Sequence, residues 1–121
     1  MDLELTHEES GLVVCPGIAR IDHQVAGEFE TVLLGAAQVA SESKGCLVVD
    51  FSRVEFISSA GLRVLILALR RMQSAGGEVL IAGLGPRVKE IFEIAHFESM
   101  FSIFTTASDA LASSGRNAAS P

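Results

Sequence analysis

Val54-Glu55-Phe56-Ile57-Ser58-Ser59-Ala60-Gly61-Leu62-Arg63-Val64-Leu65, residues 54–65, places two adjacent serines between an apolar strand and an apolar helix. A Ser directly ahead of a helical apolar pattern is a good N-cap, because its oxygen accepts from a first-turn N–H that has no partner within the helix. Free N–H groups and the helix dipole also favour negative charge there, so the fold would tolerate a phosphate on such a Ser. A strand that runs straight into a helix predicts an α/β fold, and the segments on either side extend it.

Upstream, Cys46-Leu47-Val48-Val49-Asp50-Phe51 is a short β-branched run without outward polar alternation, which predicts a central strand covered on both faces. Ahead of it Val25, Phe29, Val32, Leu33, Ala36, Val39 and Ala40 recur at three- and four-residue steps. That spacing predicts an amphipathic helix over about residues 24–40, started by Asp22 or His23 and ended by Ser41-Glu42-Ser43-Lys44-Gly45. Leu3-Glu4-Leu5-Thr6-His7 alternates as a half-exposed strand, and Glu8-Glu9-Ser10-Gly11 turns the chain into Leu12-Val13-Val14-Cys15 as a hairpin. Pro16-Gly17 predicts a bulge, after which Ile18-Ala19-Arg20-Ile21 carries the second strand on to Asp22.

Downstream, the helix begun at the serines runs over about residues 60–75 and stops at Gly76-Gly77, which suit a left-handed exit. At about 100° per residue, Leu62, Leu65, Ile66, Leu69 and Met72 share one side, and Arg63, Val64, Leu67, Arg70 and Arg71 lie largely on the other. Mixed Arg and aliphatic side chains on that second side suit a docking surface, although single exposed apolar residues are also ordinary. Glu78-Val79-Leu80-Ile81-Ala82 is a buried strand, and Gly83-Leu84-Gly85-Pro86 leads into a helix with Pro86 at its first position and Val88, Ile91, Phe92 and Ala95 as its core stripe. Met100-Phe101-Ser102-Ile103-Phe104 is a last strand, residues 107–112 are a short helix, and 113–121 have the composition of a disordered tail. The expected architecture is a single domain over residues 1–112: a mixed four- to five-stranded β-sheet with covering α-helices, including two strand-helix-strand crossovers of right-handed sense. Helices over so small a sheet leave little room for a deep pocket.

A chain of 121 residues with 49% hydrophobic content can bury a core without metal or disulfide help. No apolar run reaches the roughly 20 residues of a membrane span, and the acidic start Met1-Asp2-Leu3-Glu4-Leu5 lacks the layout of a secretory signal. Both features point to the cytoplasm and away from membrane insertion. Nine Lys+Arg against fifteen Asp+Glu, a net charge of -6, oppose general binding to nucleic acid or an anionic membrane and favour a protein partner. Cys15 and Cys46 each sit inside an apolar strand-like run, without CxxC or Cys/His company, and read as buried small hydrophobes.

Catalytic readings fail on their motifs. A hydrolase elbow wants G-x-S-x-G, and Ile57-Ser58-Ser59-Ala60-Gly61 lacks the first Gly. His7, His23 and His96 supply no base in an identifiable relation to the serines. Asp50 sits at a strand end like the phospho-acceptor of response-regulator receivers, but the first strands carry no adjacent acidic pair at their ends and no Lys follows the Glu78-to-Ala82 strand. A strand-end Asp making turn hydrogen bonds is the simpler reading. Gly83-Leu84-Gly85-Pro86 matches neither phosphate-loop pattern, and Pro86 removes an amide such a loop would use. No enzyme activity, cofactor or metal is therefore expected.

The ordered set Gly17-Ile18-Ala19-Arg20-Ile21-Asp22, Val48-Val49-Asp50-Phe51-Ser52, Phe56-Ile57-Ser58-Ser59-Ala60-Gly61-Leu62, Gly76-Gly77 and Pro86-Arg87-Val88 with Ile91-Phe92 resembles the STAS domains, and within them the bacterial anti-sigma factor antagonists. The resemblance covers nearly the whole chain. In the best-known members a signature Asp-Ser-[Ser/Thr]-Gly-Leu carries a Ser that is phosphorylated by a partner acting as both anti-sigma factor and kinase. Aligning Gly61-Leu62 puts Ser59 on the phospho-acceptor and Ser58 on the Asp, with Ser58 as runner-up acceptor and simple helix capping as the alternative role of the pair. The resemblance implies binding to an anti-sigma factor/serine kinase of the ATP-binding histidine-kinase-like type when unmodified, release on phosphorylation, and a phosphatase to reset it. Asp22, His23, Ser58, Ser59, Arg63, Val64 and Leu67 are the expected partner-binding residues. A phosphoryl group adds about -1.5 to -2 charge at neutral pH, so release would come from repulsion and desolvation at the interface. The alternative is a constitutive STAS subunit of a transporter or lipid-transport assembly, in which the hydroxyls are never modified.

Overall fold

The computed structural model describes residues 3–8, 11–42 and 45–119. The expected hairpin is there: β1 (Leu3–Glu8) pairs antiparallel with β2 (Gly11–Pro16), from Leu3 opposite Pro16 to Glu8 opposite Gly11. Its turn residues, 9 and 10, lie outside the described residues. The chain then forms β3 (Arg20–Ile21), α1 (Ala26–Glu42), β4 (Cys46–Asp50), β5 (Phe56–Ile57), α2 (Ser59–Ser74), β6 (Val79–Ala82), α3 (Pro86–Ile94), a 3-10 turn (Phe97–Ser99), β7 (Ser102–Phe104) and α4 (Ala107–Ala119). The main sheet is five-stranded and mixed, in the order β1-β2-β4-β6-β7. All pairs after the hairpin are parallel, so α1, α2 and α3 each serve as a crossover between neighbouring strands.

Strand periodicity sorts the residues between two cores. Leu12 and Val14 of β2, Leu47 and Val49 of β4, and Val79 and Ile81 of β6 share one face, where they meet Phe29 and Leu33 of α1, Leu65 and Met72 of α2, and Val88 and Phe92 of α3. Val13, Cys46, Val48, Leu80 and Ala82 point the other way, onto Ala110 with half-buried Phe104, Ala107 and Leu111 at the α4 end of the chain. Thus β4 is covered on both faces, as its lack of polar alternation predicted. Cys15 and Cys46 are buried and neither is in a disulfide, in keeping with their reading as core residues.

Two sequence expectations change. Residues 18–21 do not prolong β2 past a bulge: β2 stops at Pro16, and β3 leaves the main sheet to pair in parallel with β5, Arg20 beside Phe56 and Ile21 beside Ile57. Proline has no N–H for further ladder pairing, and Gly17 follows it as the chain turns away. The last helix, expected over 107–112, runs on to Ala119, so its backbone enters the segment read as a tail.

Two loops show why particular residues stand where they do. Gly76, after α2, has φ 79, and the Gly77 N–H donates to Met72 O at 2.8 Å, closing the helix as a glycine exit does. Gly83, after β6, has φ 72, and a Cβ there would lie 2.5 Å from Asp50 Oδ1 and 3.0 Å from Ser52 N. Asp50 Oδ1 in turn accepts from Ser52 N–H at 3.0 Å, the strand-end turn hydrogen bond expected of it. Gly83→Ala should therefore lower stability by about 1–3 kcal/mol, read as a lower urea midpoint, whereas Gly27→Ala, in an open helical position, should not.

Candidate functional site

The strand-to-helix junction is held by backbone and side-chain bonds that all pass through Ser58. Its N–H donates to Ile21 O at 2.8 Å, its carbonyl accepts from Leu62 N–H at 2.9 Å, and its Oγ accepts from Gly61 N–H at 3.2 Å. With φ -81 and ψ 169 it is the N-cap of α2. Ser59 is the first residue of the helix and exposed, and its hydroxyl has no hydrogen-bond partner among the described residues. The two serines thus divide into one that is structural and one whose oxygen is available.

Gly61 sets how closely this turn approaches the strands behind it. A Cβ there would lie 2.7 Å from Ile57 Cγ1 and 3.0 Å from Ile21 Cγ2, both in fully packed side chains. The same pairing brings the other loop into place. Because Ile21 is bonded to Ser58, the chain that continues into Asp22 leaves β3 at the strand-to-helix junction. Asp22 Oδ1 accepts from Gln24 N–H at 3.0 Å and Val25 N–H at 3.2 Å, which turns the chain into α1 and leaves His23 exposed. Arg63 is exposed one turn along α2 from Ser59, at the four-residue spacing that puts side chains on one face.

The structure corrects one member of the expected docking surface. Val64 is 2% exposed and belongs to the main core. α2 packs against α1 as well as against the sheet, so its apolar arc is wider than a single stripe, and a residue read on the outer side faces α1. Leu67 is half-buried, while Arg63, Arg70 and Arg71 are exposed. Of the expected residues, His23, Ser59 and Arg63 are exposed, Asp22, Ser58 and Leu67 are half-buried, and Val64 lies in the core.

Sequence reading missed a neighbouring constellation. The Arg20 guanidinium carbon lies 4.4 Å from the centre of the Phe56 ring, and that of Arg87 lies 5.7 Å from it. These residues come from β3, β5 and the first turn of α3, and no spacing pattern in the chain connects them. The only local signal was alternation, which in β3 buries Ile21 and exposes Arg20.

Residues 5–110 match the family profile of the STAS domain. The chain belongs to the STAS domain family. BtrV of Bordetella bronchiseptica, named as a candidate anti-sigma factor antagonist, is 41% identical over 68 residues, 56% of this chain and 58% of that protein. The fold matches that of a STAS domain protein from Planctomyces limnophilus, described as an anti-sigma-factor antagonist, with TM-score 0.86 and 21% identity over 95% of this chain and 99% of that one. It also matches the phosphorylated form of the Bacillus cell fate determinant SpoIIAA, with TM-score 0.66 and 16% identity over 92% and 97% of the two chains. Within this STAS domain, no helix among the described residues is long and apolar enough to cross a membrane.

Truncating each of three side chains in turn separates the structural residues of the junction and α2 from the exposed one. Ser58→Ala should cost about 0.5–2 kcal/mol through the lost cap, and Val64→Ala about 1.5–3 kcal/mol through lost burial. Ser59→Ala should leave the thermal midpoint within about 0.5 kcal/mol equivalent of the parent. Chemical denaturation of the three variants checks the assignment.

Proposed function

We propose that this STAS domain is an anti-sigma factor antagonist switched by phosphorylation of Ser59. Unmodified, the edge formed by Asp22, His23, Ser59, Arg63 and Leu67 binds an anti-sigma factor that is also a serine kinase of the ATP-binding histidine-kinase-like type. Phosphorylated, it lets that partner go, and a phosphatase restores it. The observation that carries this reading is the division between the serines: Ser58 oxygens are engaged by Gly61 and Leu62, whereas the Ser59 hydroxyl stands exposed at the helix start. The BtrV name and the existence of a phosphorylated SpoIIAA of the same fold support it.

The physics of the position suits a switch that acts at the surface. A phosphate on Ser59 sits at the positive end of the α2 dipole with Arg63 one turn away, so the fold accommodates the charge. A partner that has closed over the same edge must desolvate about -1.5 to -2 of charge, which opposes binding. The chain already carries a formal net charge of -6, so the added charge also strengthens any long-range repulsion from an acidic partner.

Incubation with the cognate kinase and ATP, followed by peptide mapping, should place one phosphate on Ser59 and none on Ser58. In titration calorimetry with the anti-sigma factor, Ser59→Asp should weaken binding by about a hundredfold, the scale of an interfacial like-charge contact, while Ser59→Ala binds like the parent and resists release by ATP. Tight binding by Ser59→Asp would defeat the switch. Absence of phosphate transfer from every cognate kinase would instead favour the constitutive subunit of a larger assembly.

A further inference from the structure

A second surface begins where the Ser59 edge ends. A shallow groove of about 580 Å³ is lined by Ala19, Arg20, Ser52 and Glu55 on one side and by Pro86 and Arg87 on the other. Both of its arginines lie near the same Phe56 ring, the guanidinium carbons 4.4 Å and 5.7 Å from the ring centre. Neither forms an ion pair with Glu55 or with any other described carboxylate. In a chain of net charge -6, carboxylates are the commoner charge, yet this groove is lined by two arginines and by the single carboxylate of Glu55. A guanidinium stacked on a ring still presents its N–H edge for bidentate bonding to a carboxylate.

We propose that this groove docks an acidic segment of a protein partner, with Arg20 and Arg87 each receiving a carboxylate and Phe56 holding the two guanidinium groups in place. Both arginines are exposed and come from separate elements, β3 and α3, which fits a chain carrying several carboxylates better than a single small ion surrounded by donors. Docking here uses side chains other than those of the switch proposed for Ser59: Arg20, Phe56 and Arg87 rather than Ser59 and Arg63. Charge complementarity also gives the interaction a direction: an acidic chain repelled by most of this surface is drawn to a groove lined by arginines.

The test is an amide chemical-shift titration of the full chain with a synthetic hexaglutamate peptide at low salt, with hexalysine and inorganic phosphate as parallel probes. Shifts should centre on Ala19, Arg20, Ser52 and Arg87, fade as salt rises to about 0.15 M and above, and be absent with hexalysine. Arg20→Ala/Arg87→Ala should weaken hexaglutamate binding about tenfold or more, and by more than Ser59→Asp, whose added charge acts only at a distance and is screened as salt rises. Should the double variant unfold, Arg87→Glu alone, at an exposed position in the first turn of α3, must still weaken binding at an unchanged thermal midpoint. Equal affinity for phosphate and hexaglutamate would overturn the proposal in favour of a small-anion site. Shifts that survive the arginine substitutions, or no shifts at all, would also overturn it.

Discussion

The Ser58 N–H donates to Ile21 O at 2.8 Å, and the arrangement of the strand-to-helix junction depends on that bond. It joins a two-residue strand to the start of a helix and so fixes where two loops far apart in sequence meet. Ile21 and Ile57, essentially inaccessible to solvent, anchor the pair from below, and Gly61 allows the first turn of α2 to descend onto them. A side chain at Gly61 would push the helix start away from β3. A two-stranded sheet of this length has little stability of its own. Its rigidity comes from the main core underneath.

α2 meets two demands with different parts of its circumference. One broad arc, from Leu62 through Val64, Leu65 and Ala68 to Met72, packs on the sheet and on α1. What remains outside is a narrow strip carrying Ser59, Arg63, Arg70 and Arg71. Because the buried arc is so wide, the strip is polar and charged, and modification of a hydroxyl on it changes surface electrostatics without disturbing packing. The cap on Ser58 has the same effect: the helix start is already satisfied before Ser59 is considered.

The sheet has two unlike sides. α1, α2 and α3 cover one face and the residues at α4 cover the other, so neither face is open. The free surface lies beyond the C-terminal ends of the parallel strands, where the loops after β4 and β6 carry Ser52 and Pro86 to the arginine-lined groove. Crevices at that end of parallel strands are the usual binding places of α/β sheets. Here Asp50 and Gly83 keep the two loops tight, one by its turn hydrogen bond and the other by a positive φ beside it.

By itself the sequence determined the sheet-and-helix order, the doubly buried central strand, the capped junction at the serines and the glycine exit of α2. Each of these is written in residues close together in the chain: β-branched runs, three- and four-residue apolar steps, a Ser before a helix, a Gly after one. It also carried the family signature across most of the chain. What it left open needed contacts between distant segments. Only the tertiary structure decided that β3 abandons β2 for β5, because Pro16 ends one ladder and the free edge of β5 offers another. Val64 read as exposed because periodicity assumes one buried side, whereas α2 buries against two neighbours at once. The choice of Ser58 as the cap follows from its bonds to Ile21, Gly61 and Leu62, and the meeting of Arg20, Phe56 and Arg87 follows from pairing across the fold, which no local pattern encodes.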